Sequence, residues 1–161
     1  MTLTGLAVTT ASPASALSYH CTKQTRTFDT PQYSGPWADN WDFTVTNCAA
    51  RSGSYVYARS TVSWDGPVGG GGSDFFDSAS LRVYVKKSVS GSDPVKTYKT
   101  YGFTSKANYS SSGNYNGSFT TGTIRYKIGS AKGLGDGALR LNWNNDGKGV
   151  YSYGYKASPR V

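Results

Sequence analysis

Several stretches of this chain alternate apolar and polar residues with a period of two, a pattern that suits half-buried β-strands and little else. Across residues 41–47, Trp41, Phe43 and Val45 share one face, and Asp42, Thr44 and Thr46 share the other. Residues 54–64 put Val56, Ala58, Val62 and Trp64 inward and Tyr55, Tyr57, Arg59 and Thr61 outward. Residues 81–87 put Leu81, Val83 and Val85 inward and Arg82, Tyr84 and Lys86 outward. Residues 118–128 read as one strand, with Ile124, Tyr126 and Ile128 opposite Arg125 and Lys127. Residues 138–143 place Leu139, Leu141 and Trp143 inward and Arg140 outward, and residues 150–155 form the last strand. Residues 96–103 carry an ambiguous pattern, and a short strand fits near residues 26–29. No helical period is sustained, and the chain contains no Glu, a good helix former. Seven or eight strands joined by Gly-, Asn- and Ser-rich connections predict an all-β fold, an antiparallel two-sheet β-sandwich of jelly-roll-like kind. A closed β-barrel is the alternative.

The N-terminus reads as a processing segment. Residues 3–8 are weakly apolar, and residues 9–16 are small and polar, ending in Ala14-Ser15-Ala16. This is a signal-peptidase pattern with cleavage expected after Ala16, so residues 1–16 are a signal-peptide remnant and residues 17–161 a single domain. No basic residue precedes Lys23, and a true start upstream of Met1 would account for the missing positive region. The segment resembles the end of a signal peptide from a high-GC Gram-positive bacterium, and a flexible tail on a cytosolic protein is the alternative. Export makes the cysteine count informative. Two cysteines allow one bridge, Cys21–Cys48, closing a loop of 28 residues worth roughly 3–4 kcal/mol in the chain-entropy model.

Residue counts exclude much chemistry. With no Glu, one His (His20) and two cysteines, neither a two-histidine metal site nor a structural zinc site can form within the chain. Asn142-Trp-Asn-Asn-Asp-Gly147 partly matches a calcium loop but starts with Asn and has Tyr153 where a bidentate Glu belongs. Asp146-Gly147 between two alternating stretches is instead a hairpin signal. Gly133-Leu-Gly-Asp-Gly137 lacks the ending and the helix of a phosphate loop. Residues 66–74, 108–117 and 129–137 read as surface loops, the first with four consecutive glycines. Asp74 and Asp77 flank Phe75-Phe76, and Asp39 and Asp42 flank Trp41, so an Asp-dependent glycan hydrolase is one reading. His20 lies beside a cysteine of the expected bridge, a poor place for a general base. No metal or cofactor is called for.

Charge is the most specific functional signal. The net charge is +8, and it is uneven: residues 1–80 hold four cations against six Asp, and residues 81–161 hold thirteen against three. Many of the later cations fall on outward strand faces among tyrosines. They define a candidate ligand face of Arg82, Tyr84, Lys86, Tyr98, Arg125, Lys127 and Arg140. Cationic side chains on a solvated sheet face are also ordinary edge protection. As a binding face they suit an anionic polymer, with rings for sugars and ammonium or guanidinium groups for phosphate. The expectation is a secreted, non-enzymatic domain, lectin-like or wall-associated, that binds extracellular carbohydrate or an anionic cell-surface polymer. A secreted toxin or protein inhibitor is the second class. Nucleic acid has the right charge but no recognisable module to receive it. Tyr151, Tyr153 and Tyr155 form either a sugar platform or part of the core. No apolar run reaches the ~18 residues of a membrane span.

Overall fold

The computed structural model describes residues 16–31, 33–36, 38–68, 74–109 and 113–161. The expected signal segment up to residue 15 lies outside them, as do the four glycines 69–72 and residues 110–112. Nine strands and one helical turn follow in order: β1 (His20–Asp29), β2 (Asn40–Ser52), β3 (Tyr55–Val68), β4 (Phe76–Lys87), β5 (Val95–Gly102), α1 (Thr104–Ala107), β6 (Asn114–Thr120), β7 (Ile124–Lys127), β8 (Gly133–Trp143) and β9 (Tyr151–Gly154).

They form two antiparallel sheets. Sheet A has the order β1-β2-β3-β6, with β7 paired to β3 beyond the end of β6; sheet B has the order β5-β4-β8-β9. Neither sheet closes on itself, so the architecture is the two-sheet sandwich and not the alternative barrel. The chain visits sheet A, then B, then A, then B.

The alternating residues decide which face turns inward. Trp41, Phe43, Val45, Val56, Ala58 and Val62 from sheet A meet Leu81, Val83, Val85, Leu139 and Leu141 from sheet B, all fully buried or nearly so. The core has two unlike ends. At one, Trp41, Phe43, Phe76, Tyr115 and Trp143 fill a thick aromatic cluster. At the other, a small aliphatic cluster of Val56, Ala58, Val83 and Val85 is buried, with Tyr101, Ile124, Ile128 and Val161 packed against it. Between these ends lies a buried polar knot. The Ser60 hydroxyl donates to Asn47 Oδ1 at 2.6 Å, Asn47 Nδ2 donates to the Lys156 carbonyl, and the Ser60 amide donates to Thr121 Oγ1. Satisfied in this way, the buried polar groups avoid the desolvation cost of orphaned ones.

The thin end explains the main departure from the sequence reading. Residues 129–137 were expected to be a loop, yet Gly133, Gly135 and Gly137 are the inward positions of β8. A Cβ on Gly135 would stand 2.6 Å from the Cys48 carbonyl oxygen, and one on Gly133 2.5 Å from Ile128 Cδ1. The sheets approach so closely here that glycine is the only residue that fits. Other boundaries also differ: β2 runs on to Ser52, β3 runs to Val68 inside the expected 66–74 loop, and β4 begins at Phe76. Residues 118–128 break into β6 and β7, with Thr121 turned into the polar knot. The short strand near residues 26–29 extends back to His20. β6 begins at Asn114, inside the expected loop. The Asp146-Gly147 connection does join antiparallel partners, β8 and β9, with Asn145 and Gly147 at positive φ. No helix of the described residues is long and apolar enough to cross a membrane.

Candidate functional site

The period of two sends every second residue of each strand to solvent, so each sheet has an outer face. On sheet B, cross-strand register sets Tyr84 opposite Tyr98, Arg82 opposite Thr100 and Ala138, and Ser80 opposite Arg140. Five of the residues singled out from the sequence therefore share one face: Arg82, Tyr84, Lys86, Tyr98 and Arg140. Four of them are physically linked. Lys86 Nζ lies 5.6 Å from the Tyr84 ring centre, the Tyr84 and Tyr98 rings are 6.0 Å apart, and the Arg82 guanidinium lies 4.8 Å over Tyr98. Arg82 Nε donates to Thr100 Oγ1 at 2.9 Å, which fixes the guanidinium over the ring and leaves its terminal nitrogens without a partner among the described residues. Lys86 is also ion-paired with Asp136 from β8.

Arg125 and Lys127 lie elsewhere. They are on β7, and their register partners are Tyr57 and Tyr55 of β3, on the outer face of sheet A. Pairing of β3 with β7 assembles a second group there that the sequence reading did not assemble. The Arg125 guanidinium sits 5.2 Å from the Tyr55 ring centre, and Arg59, opposite Cys48, sits 4.1 Å over the Tyr19 ring. Tyr55, Arg59, Arg125 and Lys127 were legible as outward-facing and Tyr19 was not, and nothing in the sequence told which strand β3 would take as its neighbour. The Cys21–Cys48 disulfide joins β1 to β2 beside this group, as expected from the cysteine count.

Not every cation serves a face. Arg51 donates to the carbonyls of Gly53, Gly129 and Ala131, so it clamps the turn after β7 and has a structural role. The Tyr151–Tyr155 series divides by depth. Tyr155 is buried and Tyr153 packs on the core, while Tyr151 is exposed. Burial pushes the Tyr155 phenol well above the ordinary tyrosine range, opposed by the charge of Arg26, and burial also raises Tyr153 and Tyr101. These rings belong to the core more than to a platform.

The acids collect at the far end of sheet A. A cleft of about 890 Å³ opens there between the start of β2 and the end of β3, lined among others by Tyr33, Asp39, Asp42, Asp65, Val68 and Phe75. Asp42 and Asp65 are direct cross-strand partners, and Asp42 accepts a hydrogen bond from Thr27. Asp74 and Asp77, the other acidic pair noted in the sequence, are exposed and do not line this cleft. No group of three or more metal-ligating side chains occurs among the described residues.

No protein-family model, curated protein or solved structure matches this chain.

Proposed function

We propose that the protein is a secreted binding domain for an anionic extracellular polymer, such as an acidic polysaccharide or a wall polymer, and that the outer face of sheet B receives it. The observation that carries this reading is the linked row Lys86–Tyr84–Tyr98–Arg82. The exposed Tyr98 ring and the tilted Tyr84 ring beside it offer apolar contact to a sugar. Arg82, held by Thr100 and Tyr98, offers a preorganised fork for a carboxylate, sulfate or phosphate. Arg140 stands on the same face, opposite Ser80. A row fixed before binding costs little ordering entropy when the ligand arrives. The disulfide and the signal-like N-terminus support an extracellular setting.

The test is retention of the full chain on a glycan and cell-wall array, with Arg82→Ala/Arg140→Ala as the comparison. Retention should fall at least tenfold in the variant and should weaken as salt rises, because the contacts are charged and partly exposed. Retention unaffected by both changes overturns the reading. The same array scored for released product addresses a hydrolase: turnover that disappears in Asp42→Asn would move the function to the acidic cleft.

A further inference from the structure

We infer that the outer face of sheet A is a second polyanion site, which makes the domain bivalent and able to bridge two polymer segments. The inference rests on the reading of sheet B for the class of ligand but on different residues for the site.

Sheet A gathers its cations at one end of the face. Successive rows across β2, β3 and β7 hold Cys48 and Arg59, then Ala50, Tyr57 and Arg125, then Ser52, Tyr55 and Lys127. Arg59, Arg125 and Lys127 are exposed, and none has a carboxylate partner among the described residues. The acids of this face, Asp29, Asp42 and Asp65, lie at its other end. Arg59 and Asp65 are six residues apart on one strand, or roughly 20 Å at strand rise, about two and a half times the screening length in physiological salt. The cations therefore repel one another without local compensation, and an anion laid across them relieves that repulsion. Tyr55 and Tyr19 lie beneath two of the guanidinium groups and hold them toward solvent, so the chemistry offered is charge plus an aromatic surface, as on sheet B.

The two sites face opposite ways. The sheets are stacked with their cores between them, so a polymer lying on sheet A cannot also lie flat on sheet B. Two sites on opposed faces bind two segments, and a long polymer with many segments becomes cross-linked.

Two measurements on the full chain test this. The first is titration with a short sulfated oligosaccharide, and the second is light scattering with long-chain dextran sulfate. The wild type should take up two oligosaccharides per chain and should cloud the long polymer near equivalence. Arg59→Ala/Arg125→Ala/Lys127→Ala should bind one and leave the solution clear, and Arg82→Ala/Arg140→Ala should do the same through the remaining face. Thermal melting of both variants checks that they fold. One oligosaccharide per wild-type chain, lost only in the sheet B variant, overturns the second site and leaves the first reading standing. One per chain, lost only in the sheet A variant, overturns bivalency and the sheet B reading but keeps the sheet A site. No uptake by the wild type overturns both.

Discussion

On the outer face of sheet B, Lys86 has Asp136 as an ion-pair partner, and Arg82 is held by Thr100 and Tyr98. On the outer face of sheet A, Arg125 and Arg59 lean on tyrosine rings with no carboxylate partner among the described residues, and the acids lie at the opposite end. The same residue types thus give two surfaces of different character. One is positioned and partly neutralised, suited to recognising a shape. The other is concentrated charge, suited to holding an anion of any shape. The difference comes from where each sheet places its carboxylates, and cation counts alone do not reveal it.

The largest expected effect separates the faces by stability. Replacing both cysteines, Cys21→Ser/Cys48→Ser, removes the tie between β1 and β2 next to Arg59 and should cost roughly 3–4 kcal/mol in denaturant unfolding. Polyanion binding through sheet A should decline with it, while sheet B, which contains neither strand, keeps its affinity. Equal losses at both faces would break the comparison. A smaller change should turn one face into the likeness of the other. Asp136→Asn releases Lys86 from its ion pair, so sheet B should bind dextran sulfate up to about fivefold more tightly, the equivalent of ~1 kcal/mol for a partly exposed pair. Its salt dependence should steepen as well. An unchanged affinity would mean that Lys86 does not face the ligand.

The smallest effect should be common to both faces. Tyr155 donates to the Phe43 carbonyl at 3.3 Å and so ties the segment after β9 to β2. Burial raises this phenol, and also Tyr153 and Tyr101, above the unfolded value of about 10. A raised acid favours the folded state fully below the unfolded pKa, and that contribution is lost as pH climbs toward the folded one. Stability should therefore hold from neutral pH to about pH 10 and decline above it, measured by denaturant midpoints across that range. A midpoint that stays level well above pH 10 would contradict the burial of these rings.

Much of the fold was legible because side chains recorded it. In β2, β3 and β4 most inward positions carry an apolar or small residue, with Asn47 and Arg51 of β2 as exceptions, so the alternation showed both the strand and its buried face. The first half of β8 recorded nothing, since its inward residues are Gly133, Gly135 and Gly137, and a glycine stripe looks like a flexible loop until the opposing sheet is known. β1 was mostly missed for a related reason. It is an edge strand, and of its inward residues only Phe28, within the short stretch the sequence showed, is apolar, while His20, Thr22, Gln24 and Arg26 are not. The candidate site was legible residue by residue, but its grouping was not. Arg82 and Arg125 each read correctly as outward, and their separation onto opposite faces depends on β4 pairing with β8 and β3 pairing with β7, contacts between residues far apart in sequence.

The repeated passage of the chain between sheets has a kinetic consequence. β4 is an inner strand, yet its β8 partner begins 46 residues after β4 ends, at Gly133. Until that strand docks, β4 has one edge of unpaired backbone groups beside inward Leu81, Val83 and Val85. Pairing over such separations is slow, on the order of milliseconds to seconds. The Cys21–Cys48 bridge cannot hasten it, since it lies wholly within the first hairpin of the other sheet. The half-built sandwich, with an open hydrophobic strand edge, is therefore the species most exposed to self-association during folding.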